Sequence, residues 1–269
     1  MSTKSNKKII ATIGPASFAP SIVKAMDSAG VDFFRINLSH TEVEDIETVY
    51  TMLKSWTYRP VCPDTRGVEH RDHPLGRIRR LLGYNTLPSG LSKKDVEMLK
   101  ILNRLGAMTV FLSFCSWPED VAELKTHFDH PITVISKIEN AVGLQNLAEI
   151  CEVSDGILID RYDLSKDIPL VKIPYAQDYI VKTAGLCNTP VYVATNLMES
   201  MLTEPLPNRA EANDIVKTLD SGVDGLVLAG ETAIGRHPID AVRIMKEIMD
   251  KFDEHPENEA DLIEWLLQK

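Results

Sequence analysis

A single (β/α)8 TIM barrel, an α/β fold, is what this sequence predicts, and three observations predict it. Eight short apolar, β-branched runs alternate with amphipathic helical stretches from Lys8 onward. The length, 269 residues, is close to the roughly 250 residues that eight strand–helix units occupy. Neither a GxGxxG nor a Walker loop is present. The competing architecture, a doubly wound open sheet, is expected to carry such a loop or to break the alternation. The chain, residues 1–269, is therefore read as one domain.

The first run, Ile9 to Ile13, is stopped by Gly14-Pro15, and a helix follows around Ala19 to Ala29. The second run, Val31 to Asn37, leads to a helix near Val43 to Trp56, whose acidic first turn suits the helix dipole. The third run, Arg59 to Asp64, contains Pro60 and Pro63, which weakens it as a strand. An irregular segment, residues 66–90, precedes a helix from Lys93 to Leu105 capped by Ser92. Run four is Met108 to Phe114, with a helix from Pro118 to His127; run five begins at Ile132, with a helix from Ala141 to Cys151. Run six is Gly156 to Asp160, followed by a helix from Ile173 to Leu186; run seven is Pro190 to Ala194, with a helix from Arg209 to Leu219. Run eight is Gly225 to Leu228, and the helix after it, Pro238 to Phe252, has proline in its first turn. A short terminal helix carries Leu262, Trp265, Leu266 and Leu267, expected to seal the barrel's flank or to dock in an interface between copies.

Composition removes several classes of function. Net charge is −10, the wrong sign for a nucleic-acid partner. No apolar run reaches the ~20 residues of a membrane span. Met1 to Lys8 is polar and basic, without the apolar core of a signal peptide, so a cytoplasmic location is expected. Cys62, Cys115, Cys151 and Cys187 are scattered and read as free thiols.

Barrel chemistry sits at the C-terminal ends of the strands, and polar residues collect there. Run five ends in Lys137 and Glu139, two residues apart and so on one face of an extended chain. The other runs contribute Arg35, Asn37, Ser39 and His40; Asp64, Thr65 and Arg66; Ser113; Asp160, Arg161 and Asp163; Thr195 and Asn196; and Glu231 and Thr232. Singly, each could cap a helix. Together at one rim they supply carboxylates for a hard cation and positive charge for an anionic ligand.

Five segments carry a resemblance. Ala11-Thr12-Ile13-Gly14-Pro15-Ala16-Ser17, Arg35-Ile36-Asn37-Leu38-Ser39-His40, Ile135-Ser136-Lys137-Ile138-Glu139-Asn140, Ala194-Thr195-Asn196-Leu197-Met198-Glu199-Ser200-Met201 and Gly230-Glu231-Thr232-Ala233 resemble, in order, the pyruvate kinase family. The likeness runs from about Lys8 to Asp253, and that family's central domain is a (β/α)8 barrel. It implies that Glu139 and Asp163 bind a divalent cation, Mg2+ or Mn2+. It implies that Lys137 neutralises charge at the transferring phosphoryl group, that Arg35 contacts phosphate, and that Thr195 stands beside the carbon that gains a proton. Asn37, Ser39, Asp64 and Thr65 match ligands of a monovalent cation, K+. Pro15, His40 and Arg71 match positions near a nucleotide. The implied partners are a small carboxylate or phosphate substrate and a nucleotide; self-association stays open.

Departures from the family pattern are equally specific. A short loop, residues 66–90, stands where the family inserts a lid domain, and the chain stops near where a C-terminal regulatory domain would begin. The family's Arg-Gly-Asp-Leu-Gly is here Arg161-Tyr162-Asp163-Leu164-Ser165, so Tyr162 is expected to add bulk and strain at the substrate floor. Asp160 replaces a small residue and adds a carboxylate; with Tyr162 and Ser113 it is assigned to the substrate side. Ala229 stands where the family has a serine, and Ser116-Trp117 where it has Arg-Lys. Arg66, Arg71, Arg77, Arg79 and Arg80 make the loop cationic, a flap over an anion, a solvated helix turn or a contact between subunits; His70 and His73 lie in it without metal-ligand spacing. Three functions remain in play. They are phosphoryl transfer between phosphoenolpyruvate or a similar 2-oxo acid and a nucleotide, metal-dependent enolate chemistry without a nucleotide, and a non-catalytic binding barrel.

Overall fold

A computed structural model describes residues 7–68, 90–256 and 258–267. Its eight strands are β1 (Lys8–Ile13), β2 (Phe33–Asn37), β3 (Val61–Asp64), β4 (Thr109–Leu112), β5 (Thr133–Ile138), β6 (Gly156–Asp160), β7 (Val191–Ala194) and β8 (Gly225–Leu228). All neighbours are parallel, and β8 pairs with β1 (Gly225 opposite Lys8), closing the barrel in sequence order. Pro63 does lie in β3, opposite Ile36 of β2. It has no N–H to give, and β3 meets β4 through the single pair Asp64–Phe111.

The helices are α1 (Pro20–Ala29), α2 (Ile46–Trp56), α3 (Lys93–Arg104), α4 (Pro118–Lys125), α5 (Ala141–Gln145), α6 (Leu147–Val153), α7 (Arg161–Asp167), α8 (Ile173–Leu186), α9 (Arg209–Asp220), α10 (Gly230–Ala233), α11 (Pro238–Glu254) and α12 (Glu259–Leu267). Two differ in kind from the sequence reading. The stretch expected as one helix from Ala141 to Cys151 breaks at Asn146, whose side chain donates to the carbonyl of Ser116 at 2.8 Å. An additional helix, α7, starts directly after β6, its N-cap being Asp160. In α12, Leu266 and Leu267 are exposed, so they do not seal the barrel's flank.

Two apolar layers follow from the period-2 alternation of a strand. Outward residues such as Ile9, Ala11, Val110, Val134 and Ile157 pack under the helices. Inward ones (Ile10, Cys62, Phe111, Ile135, Leu158, Tyr192 and Val227, with Phe33 against them) plug the barrel. The cysteines form no disulfide. Among the described residues no helix is long and apolar enough to cross a membrane.

Candidate active site

One step of two residues beyond the apolar plug places the next inward side chain of each strand at the C-terminal mouth. That layer reads Thr12, Arg35, Asp64, Ser113, Lys137, Asp160, Ala194 and Ala229. Six of these (Arg35, Ser113, Lys137, Asp160, Ala194 and Ala229) line one cavity, together with Asn37, Ser39, Arg66, Phe114, Glu139, Leu158, Asp163 and Thr195. Charge is concentrated on the β2–β6 side; the β7 and β8 side is walled by alanines.

At its centre is Lys137. Its Nζ lies 2.8 Å from Glu139, 3.3 Å from Asp64 and 3.8 Å from Asp160, and donates to Ser113 Oγ at 3.0 Å. Burial alone would favour the neutral amine, but Asp64, Glu139 and Asp160 overcome it and raise the pKa, so the ammonium stays charged. Arg35 donates from Nη1 to Thr12 Oγ1 at 2.8 Å, and its Nε and Nη2 both lie 2.5 Å from Asp64 Oδ2. Ser113 Oγ donates to the other oxygen of Asp64 at 2.9 Å. Against its burial, Asp64 is therefore held below the usual carboxylate range by Arg35 and Lys137.

Glu139 behaves in the opposite way. Burial pushes its carboxyl up to about 7 even beside Lys137, because Asp160 and Asp64 share that ammonium. Its Oε2 accepts the N–H of Phe114 at 2.5 Å, and Phe114 takes a left-handed backbone (φ 53°) to offer it. Among the described residues its Oε1 is buried without a hydrogen bond, although Lys137 Nζ lies 2.8 Å away. Glu139, Asp160 and Asp163 each offer an oxygen, all within 4.8 Å of one another. This cluster of hard oxygen donors fits a divalent cation.

The expected monovalent-cation residues also offer only oxygen. Asn37 and Asp64 are register partners on β2 and β3, Asn37 Oδ1 caps Ser39 N at 3.0 Å, and Thr65 Oγ1 accepts from Ser113 N at 2.9 Å. His40 and Pro15 are exposed and outside the cavity lining. Arg71, with His70, His73, Arg77, Arg79 and Arg80, lies outside the described residues; Arg66 reaches the cavity.

Two expectations need correction. Tyr162 does not crowd the cavity: the residue is 58% exposed, with Lys166 Nζ 5.0 Å from the ring centroid, and it lines a side groove with Asn196 and Glu199. Nor is its backbone strained. Besides Phe114, left-handed backbone near the cavity occurs at Thr195 (φ 70°) and Asn196 (φ 53°), at the end of β7. Arg161 holds them there, donating to Thr195 O at 2.7 Å and Asn196 O at 2.9 Å while bonding Asp214 at 2.8 Å. This clamp went unread in the sequence, as did Thr12 and the Phe114 amide. The alternation of β1 could have pointed to Thr12; nothing local marks Phe114. Ser116, in place of the family's arginine, is buried and bonded to Phe114 O and Asn140, outside the cavity.

Comparison with known proteins agrees with this geometry. The sequence model of the family described as pyruvate kinase, barrel domain, matches residues 80–242. A pyruvate kinase of Agrobacterium vitis is 28% identical over 95% of this chain, and the human protein named pyruvate kinase PKLR is 41% identical over 89% of it. A pyruvate kinase of Thermotoga maritima is 38% identical over 64%. The chain spans 71%, 58% and 39% of the length of these three relatives, respectively. With its barrel matched over more than half its length and its charged mouth built on the inward rows of those strands, the chain belongs to the pyruvate kinase family.

Proposed function

We propose that this chain transfers a phosphoryl group between the enol phosphate of a small 2-oxo acid, phosphoenolpyruvate giving pyruvate, and a nucleotide. The observation that carries this reading is the buried, charged Lys137 set among three carboxylates at the barrel mouth. Phosphoryl transfer asks for positioning and charge neutralisation more than covalent help. Glu139 and Asp163 would hold the divalent cation, Mg2+ or Mn2+, whose contribution when bound is to polarise phosphoryl and enol oxygens. Asn37, Ser39, Asp64 and Thr65 would hold K+. Lys137 neutralises charge passing between the phosphoryl group and the enolate oxygen. Arg35, fixed by Asp64 and Thr12, presents a second positive charge without reorganising.

Thr195 Oγ1 lies 2.6 Å from Ala194 O and 3.3 Å from Asp160 Oδ1. Its one proton serves either, so a proton can be held beside the carbon to be protonated. Ala194 and Ala229 give that carbon an apolar wall. Ser113 and Asp160 face the substrate, and Tyr162 contributes its amide, which fixes the Thr195 hydroxyl at 3.0 Å. The nucleotide is assigned to the outer rim, toward Pro15 and His40, with Arg71 added by the resemblance alone. Free thiols fit a reducing, cytoplasmic setting. The names of the relatives favour this reading over enolate chemistry without a nucleotide.

The test is turnover of phosphoenolpyruvate with ADP, Mg2+ and K+, followed as pyruvate formed. Pyruvate production that depends on ADP and on the metal is expected. A protein that binds Mn2+ but forms no pyruvate would remove phosphoryl transfer from these substrates.

A further inference from the structure

We propose that Asp160 is a third protein ligand of the divalent cation, so that the metal is held by the protein before any substrate arrives; the proposal rests on the metal-dependent reading above. Asp160 ends β6, is only 6% exposed, and shares the cluster with Glu139 and Asp163. The other acids here have close countercharges: Asp64 has Arg35 at 2.5 Å, Glu139 has Lys137 at 2.8 Å, and Asp163 has Lys166 at 2.5 Å. Asp160 has none as near among the described residues. Its Oδ2 stands 3.8 Å from Lys137 Nζ, beyond hydrogen-bond range. Its Oδ1 has two long contacts, from Asp163 N and Thr195 Oγ1, both at 3.3 Å.

A buried carboxylate without a close countercharge carries a desolvation cost. Capping the seven-residue α7 does not require it, since a neutral asparagine caps as well. A hard dication on the open side of the cluster would balance it. A site with two carboxylates must complete its shell with water or with oxygens of the bound acid. A site with three is less dependent on that acid.

The experiment is Mn2+ titration of the full chain, read as loss of the free Mn2+ electron paramagnetic resonance signal, for wild type, Asp160→Asn and Asp160→Ala, each with and without oxalate. Asparagine keeps the cap and removes the charge, which separates ligation from a structural role. Wild type is expected to bind Mn2+ without oxalate, and both variants to bind about tenfold or more weakly. Oxalate, offering two oxygens of its own, should recover affinity in the variants more than it improves wild type. Wild-type affinity in Asp160→Asn overturns the proposal, and so does a loss confined to Asp160→Ala, which would leave Asp160 a cap only. No Mn2+ binding by wild type overturns the metal-dependent reading itself, and this proposal with it.

Discussion

At Lys137 three carboxylates compete for one ammonium, and the outcome sets the chemistry of the cavity. Asp64 is satisfied by Arg35 as well, and its pKa falls; Glu139 is left short of positive charge, and its pKa rises to about 7. Removing the ammonium therefore has two separable effects. Lys137→Met should lower the rate of phosphoryl transfer by about 10²–10³-fold or more, the usual loss when a charge-stabilising donor is deleted. It should also leave buried carboxylates unpaired and cost roughly 3 kcal/mol of stability in EDTA, part of which Mn2+ returns. Steady-state kinetics and urea melts with and without Mn2+ check the two effects independently. A variant with near wild-type turnover would take the central role away from this lysine.

Elements matter here chiefly through the loops they pin. Asp95 is fully buried in the first turn of α3, where its carboxylate accepts from Ser92 N at 2.9 Å, Ser92 Oγ at 2.6 Å, Arg66 N at 2.7 Å and Gly67 N at 3.0 Å. Just beyond, Val68 N donates to Gly90 O at 3.2 Å. One side chain thus caps a helix and anchors the stretch that brings Arg66 to the cavity. Asp95→Ala should cost on the order of 3 kcal/mol, since several donors lose their acceptor at once, and hydrogen exchange at Arg66 and Gly67 should accelerate. Unchanged exchange there would mean that the anchor lies elsewhere. The Ser92 cap was legible in the sequence, but the Asp95 bonds to Arg66 and Gly67 were not, because they join residues about 30 apart through a side chain. The same limit explains Arg161, whose value as a clamp depends on where β7 ends. The split at Asn146 was hidden for another reason: a helix-period pattern continues across it, and a tertiary bond to Ser116 decides.

For the molecule as a whole, the fold and the charged face of the site were readable because both rest on one local rule, alternation along a strand. Ile135 plugs the barrel, so Lys137 must face its mouth; Leu158 and Asp160 stand in the same relation. Energetic balance is not local, and pH exposes it. Asp27 and Asp64 have lowered pKa values, Asp27 through Arg59 and Thr57 against its burial. Their contribution is present above about pH 4, the unfolded carboxylate value, and is lost as pH falls through the folded values. Asp120 has the opposite sign: burial pushes its carboxyl up to about 6, although Ser116 N and Trp117 N both donate to its Oδ2. A raised acid favours folding while protonated, so its contribution is present below the unfolded value and is lost as pH rises through about 6. From pH 4 to 7 this should cost on the order of 2–3 kcal/mol, about 1.4 kcal/mol per unit. Urea melts at pH 5 and pH 7 in EDTA should find wild type less stable at pH 7, with Glu231, raised by burial, adding to the slope. Asp120→Asn keeps an oxygen for both amides and cannot ionise, so it should show a smaller difference between the two pH values. An undiminished slope in Asp120→Asn would mean that the two amides, not burial, govern this carboxyl and hold it ionised throughout.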